Sequence, residues 1–287
     1  MTSAPRAFVP GHLLAHAVLW VGLAITAFPL YLTFIASTLT SQELAQAPMP
    51  MWPGEQAWEN YRKVLIEGMS GSHLSPPVWV MLRNSLAMAL IIAAGKIIVS
   101  VLSAYAVVFF RFPGRMLCFW MIFITLMLPV EVRILPTYKV VTDLGLVNSF
   151  TGLTLPLIAS ATATLLFRQY FLTLPDELVE AGKLDGAGPL RFFLDVVLPL
   201  TRTQIAALFV ILFVYGWNQY LWPLLIITDN KLDTIVVGLS KMIGSGGDAT
   251  TNWHLVMATA VLALLPPVLV VILMQKWFVR GLVESEK

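Results

Sequence analysis

Lys96, Glu131 and Arg133 each fall inside a long apolar stretch. An ion at mid-membrane costs about 2.5–3.5 kcal/mol on insertion scales, so each needs a partner or a wet cavity. Glu131 and Arg133 are two residues apart and cannot face each other on a helix. Counted at 1.5 Å per residue from the cytoplasmic ends of their stretches, Lys96 and Glu131 share a depth of about 21–22 Å. That depth predicts a Lys96–Glu131 pair. Arg133 then either keeps a free charge for a pathway, or snorkels to the outer interface, or meets Glu131 through water. Tyr215, Asn218 and Trp222 recur at i, i+3, i+7, giving one polar and aromatic face suited to polyol hydroxyls. The same face would also serve helix packing, where Asn bonds across bundles. Trp217 fits either surface, and Trp277 fits an interfacial belt.

Other chemistries find no constellation. There is no G-x-x-x-x-G-K-[ST] phosphate loop; Gly95-Lys96 is the nearest fragment, and Leu90 stands where the first glycine belongs. The chain is therefore expected to hydrolyse no nucleotide itself. His12 and His16 are spaced i, i+4 but lack a third ligand, so no metal site is expected. No Ser-His-Asp or paired-acid arrangement stands out, and no catalytic residue is expected.

The elements that must position these residues follow from composition. Of 287 residues, 58% are hydrophobic and 12% charged, with mean hydropathy +0.81. Soluble domains carry about 25% charged residues. The balance excludes a soluble enzyme and a disordered chain. A net charge of +2 without a basic run excludes a nucleic-acid partner. The single cysteine, Cys118, excludes a disulfide framework within the chain and argues against a thiolate metal site.

The expectation is an all-α polytopic membrane protein, one transmembrane domain over 1–287, because no open sheet satisfies its backbone in lipid. About six spans are predicted, at 13–39, 86–110, 116–135, 150–171, 205–227 and 255–277. Pro29, Pro129, Pro156, Pro223 and Pro266-Pro267 fall inside them. The first span is too long for a signal peptide and is read as a retained helix. A modest Lys/Arg excess on the even-numbered connections and the ends places both termini in the cytoplasm.

The internal loop, about 172–204, carries the most information. Pro175 suits a first helical turn, and Asp176 and Glu177 suit the positive end of its dipole. The helix should reach Leu184 and break at Gly186 and Gly188. Pro189 should start a second helix, with Leu190, Phe193, Leu194 and Val197 as one apolar stripe and Arg191 and Asp195 as an i, i+4 pair. An amphipathic interfacial connector would share that pattern. The acidic and basic ring of Glu177, Glu180, Lys183 and Asp185 suits a protein socket better than lipid.

Glu180-Ala-Gly, three residues, Gly186, nine residues, Val196, one residue, Leu198-Pro199 resembles the EAA loop of ABC-importer permeases. Gly182 departs from the third alanine, at about 1 kcal/mol of helix propensity. Val196 replaces isoleucine. Trp217-Asn-Gln-Tyr-Leu-Trp-Pro223 resembles the W-N-x-x-x-x-P signature of carbohydrate-type permeases, the family that includes the second maltose permease. Residues 119–134, 159–164, 215–229 and 278–283 are similar, more narrowly, to permease subunits of sn-glycerol-3-phosphate importers.

The resemblance implies a type I ABC-importer permease fold in the bacterial inner membrane. It implies a second permease subunit as heterodimer partner, a cytoplasmic ATPase dimer that binds ATP and Mg, and a periplasmic substrate-binding protein. This chain would hold no cofactor. Glu180, Ala181, Gly182, Asp185 and Gly186 would dock on the ATPase, and residues 280–287 would contact it. The implied cargo is sn-glycerol-3-phosphate or its phosphodiester relatives, for which Arg133 would offer a charge-assisted fork. A neutral sugar or oligosaccharide is the alternative within the class. An ion-driven secondary transporter is the rival outside it, though no internal repeat is visible.

Overall fold

The computed structural model describes residues 10–68, 76–125, 128, 130–244 and 251–283. Among these, regular structure is helical throughout. The elements are α1 (Pro10–Thr38), α2 (Val78–Phe109), α3 (Arg115–Ile124), α4 (Val130–Asp143), α5 (Phe150–Leu157), α6 (Ala161–Phe171), α7 (Asp176–Leu184), α8 (Pro189–Trp217), α9 (Leu221–Ile226), α10 (Ile235–Gly244) and α11 (Trp253–Val283). Short helices at Ser41–Leu44 and Ala57–Arg62 fill the loop after α1.

α8 lies at the centre, packed on α2 and α11; α6 packs on α2, and α1 on α11. Small residues allow this closeness. Ala89, Ala93, Ile97, Val101 and Ala104 form a buried stripe along α2. A Cβ on Gly216 of α8 would stand 3.0 Å from the Ala89 Cα, so the two backbones meet there. Membrane helices gain little from burying apolar surface against one another, and close van der Waals approach takes over that role. α1 is apolar on all sides and exposed from Leu14 to Leu30; only its last turns, at Ile35 to Leu39, are buried. Such a helix needs lipid or another subunit around it.

Among the described residues four helices, α1, α2, α8 and α11, are long and apolar enough to cross a membrane; α5 and α6 make a fifth if their pair, bent by 46°, is one span. Several expected boundaries move. The span expected at 86–110 begins at Val78, because polar Asn84 and Ser85 are satisfied by the backbone of 231–235. Asn84 Nδ2 donates to the Lys231 and Asp233 carbonyls at 2.9 and 3.0 Å, and Ser85 Oγ accepts from the Ile235 amide at 2.7 Å.

The segment expected at 116–135 is two helices, with α4 running on to Asp143. Proline at 129 has no N–H to continue the ladder and disfavours helix in the residue before it. α3, at ten residues, is too short to cross alone. Arg168 of α6 braces it, with its guanidinium carbon 4.2 Å above the Phe119 ring. The 150–171 span bends after Leu157, and Ser160 caps the restart by accepting from the Ala163 amide.

The span expected at 205–227 begins at Pro189 and ends at Trp217. The second half of the internal loop is thus the first part of α8. A π-turn at Phe193–Val197 precedes Pro199, whose missing N–H it accommodates.

Candidate functional site

α2, α4, α8 and α9 surround a cavity of about 370 Å³ lined by Lys96, Arg133, Thr137, Tyr215, Gln219 and Trp222 among others. Lys96 is only 6% exposed, and its ammonium lies 3.7 Å from the centre of the Tyr215 ring. A cation over an aromatic face is held by the ring quadrupole, more strongly where water is excluded. Arg133 projects from α4 into the same space and is exposed. Among the residues whose side chains are described no carboxylate lines this cavity, and Lys96 and Arg133 bring two positive charges to one opening.

Lys96, Arg133, Tyr215 and Trp222 are thus brought together, with different parts. The Glu131 side chain lies outside the described residues, so the Lys96–Glu131 pair has no geometry here. Its depth argument also assumed one continuous helix, whereas Glu131 opens the separate α4. Trp222 is 4% exposed, and its indole N–H donates to the Gly152 and Leu153 carbonyls at 3.3 and 3.2 Å. It offers the cavity a ring face, with its donor spent on α5.

Asn218 does not line the cavity. α8 stops at Trp217, Asn218 forms its exposed C-cap, and the i, i+3, i+7 face ends with the helix. Gln219 takes that place, its amide donating to the Tyr215 carbonyl at 3.0 Å. Periodicity could not find Gln219, because it presumed a helix that is absent. Thr137 was hidden likewise, lying beyond the expected end of its span. Trp217 is 2% exposed and stacks on Phe213 in the core; Trp277 is half exposed, as a belt residue would be.

The second candidate site is α7 and its return. Helix α7 spans Asp176–Leu184, as expected. It closes with a Schellman pair: the Ala187 amide donates to the Gly182 carbonyl at 2.9 Å and the Gly186 amide to the Lys183 carbonyl at 3.1 Å. Gly186 takes φ +68°, which favours glycine, while Gly188 is extended and enforces no break.

Glu180, Ala181, Asp185 and Gly186 are exposed; Gly182 is buried. A Cβ on Gly182 would stand 2.8 Å from Phe192 Cδ2, so the glycine makes room for that ring. Arg191 and Asp195 pair at 3.3 Å on the surface, as their spacing predicts. The expected apolar stripe splits: Phe193 and Val197 are buried, while Leu190 and Leu194 are 70% and 49% exposed. The π-turn changes the angular step that the stripe assumed, and Phe192 joins the buried face instead.

Among the described residues no group of three or more His, Cys, Asp or Glu side chains could hold a metal ion. Outside the membrane segments, the buried Asp233 carboxylate accepts from Lys241 Nζ at 2.8 and 2.9 Å. Burial nevertheless pushes its pKa above the usual value, with the lysine opposing that rise.

Residues 96–284 match the family of binding-protein-dependent transport system inner membrane components. The chain is 58% identical over 279 residues to the sn-glycerol-3-phosphate transport system permease protein UgpE of Brucella melitensis, covering 96% of this chain and 97% of that one. It is 60% identical over 273 residues to the protein of that name in Pectobacterium atrosepticum, covering 95% and 96%. In structure it resembles a chain of a bacterial ABC transporter involved in the import of the acidic polysaccharide alginate. The TM-score is 0.81 at 21% identity, over 97% of this chain and 100% of that one. The two share one fold along nearly their whole length.

Proposed function

The chain belongs to the binding-protein-dependent transport system inner membrane components, and from that premise we propose that it forms half of the translocation pathway of an ABC importer for sn-glycerol-3-phosphate. The observation that carries the cargo reading is the pair of cations, Lys96 and Arg133, on one cavity. A phosphate monoester brings up to two negative charges. Arg133 gives it a planar fork and Lys96 a point charge, while Tyr215 and Trp222 present ring faces to the glycerol carbons. The names of its relatives support the same cargo.

A second permease completes the pathway, and both termini lie in the cytoplasm of a bacterial cell. Helix α7, through Glu180, Ala181, Gly182, Asp185 and Gly186, docks on a cytoplasmic ATPase dimer, which binds ATP and Mg. A periplasmic binding protein delivers the cargo. Closure of the ATPases carries α7 with it, and the paired bundles alternate their access by rigid-body motion.

The test is uptake by the reconstituted importer with its binding protein. Arg133→Gln should lower uptake of sn-glycerol-3-phosphate about 10- to 100-fold, the worth of a charge-assisted hydrogen bond. Arg133→Lys should recover part of it. Unchanged uptake by Arg133→Gln removes the phosphate role, and efficient uptake of a neutral oligosaccharide by the wild type removes the cargo reading.

A further inference from the structure

α2 and α8 are joined at two points far apart along their lengths. Near the cavity, Lys96 of α2 sits on the Tyr215 ring of α8. Nine residues further along α2, about 13–14 Å at the helical rise, Tyr105 reaches the opposite end of α8. Its hydroxyl donates to the Pro189 carbonyl at 2.8 Å. Its ring packs on Phe193, with centroids 4.9 Å apart, and on Phe109 at 5.1 Å. Phe109 in turn meets Phe192 edge-on at 5.7 Å, and Phe192 lies against Gly182 of α7. A continuous run of packed rings therefore leads from α7 into α2, and Tyr105 is the member that adds a directed hydrogen bond. That bond matters locally because Pro189 opens α8 directly after the Gly186 turn, whose amides at Asp185, Gly186 and Ala187 all donate back into α7 rather than onto α8. Without the clamp, motion of α7 would be absorbed at the turn.

We propose that Tyr105 is a positioning residue for coupled transport, locking the start of α8 to α2 so that displacement of α7 reaches Lys96 and Tyr215 together. Coupling of this kind requires a packed element with two discrete arrangements that both sites bias. The α2–α8 pair meets the packing condition: between the two pins Ile97 and Val101 of α2 and Leu208 and Leu212 of α8 are buried in one core cluster, and beyond Lys96 the backbones close at the Gly216–Ala89 approach.

The proposal rests on α7 being the ATPase-docking element, and not on the identity of the cargo. Its test uses the complete importer in proteoliposomes with Tyr105→Phe, which deletes the hydroxyl and keeps the ring. ATP hydrolysed per sn-glycerol-3-phosphate moved should rise about fivefold, the equilibrium worth of one ordinary hydrogen bond, while assembly is retained and melting falls by no more than that one bond accounts for. In parallel, spin labels at Leu184 on α7 and Trp79 on α2, both exposed, should report an ATP-driven distance change that is sharp in the wild type and broadened in Tyr105→Phe. A wild-type ratio with a wild-type distance change overturns the proposal. So does a proportional fall of hydrolysis and uptake together with lost assembly, which marks a merely structural tyrosine. If the wild type moves no sn-glycerol-3-phosphate, the cargo reading fails, and the label distances still decide the clamp.

Discussion

Gly182→Ala restores the alanine that the resembled EAA pattern carries, and it should weaken the loop. Helix propensity alone favours alanine by about 1 kcal/mol. Against this, the new Cβ would lie 2.8 Å from Phe192 Cδ2 and 3.2 Å from Cε2. Carbon atoms settle at about 3.5–4.0 Å, so the ring must retreat by roughly 0.7–1.2 Å. Phe109 stands behind it at 5.7 Å, itself against Phe171 at 5.8 Å. Overpacking of such a site costs about 1–3 kcal/mol. The net expectation is a loss of up to about 2 kcal/mol. Phe192→Leu should relieve the clash, so the double variant should be more stable than the two single losses add to, by about 1–2 kcal/mol. Melting of the purified importer in detergent, run as a four-member cycle, reads both quantities. A Gly182→Ala protein that melts at or above the wild type, with additive behaviour in the cycle, would refute the argument.

Trp222→Phe keeps a ring at the cavity but leaves the Gly152 and Leu153 carbonyls without their indole donor. It should cost about 1–3 kcal/mol of stability with little change in KM for the phosphorylated cargo, since the ring face is kept; a large KM change with unaltered melting would mean that the indole N–H serves the cargo and not α5. Asp233 gives a pH test. Burial raises its carboxyl pKa above the ordinary aspartate value, so the folded state holds the proton more tightly than the unfolded chain. Its contribution is present below that unfolded value and is lost as pH rises through the folded one. The stability of the wild type relative to Asp233→Asn should therefore decline across that window and level off above it. A difference in melting temperature that grows with pH would mean that Lys241 outweighs the cost of burial.

The sequence reveals the elements whose causes are local. The α7 helix, its end at Leu184 and the break at Gly186 are legible because proline, acidic first-turn residues and glycine act within a few positions. Long apolar runs likewise announce α1, α2 and α11. What escapes is set by tertiary partners. Asn84 and Ser85 look like the outside of a span until the 231–235 loop supplies their partners. Hydropathy also joins α3 to α4, since the stretch from Met116 to Leu135 stays largely apolar although α3 ends at Ile124 and α4 begins at Val130. In the cavity, Lys96, Arg133 and Tyr215 stand out by type alone. Asn218 is lost because α8 ends one residue before it, and a periodic face means nothing beyond the last turn.

At 29 residues, α8 measures about 43 Å at the helical rise, against about 30 Å of oil in a typical bilayer. Nearly a third of an upright α8 must stand clear of the acyl chains like a pier above a waterline. If α7 docks as proposed, the height at which the ATPase is met follows from polypeptide length, so thicker or thinner lipids would wet more or less of the pier without shortening it.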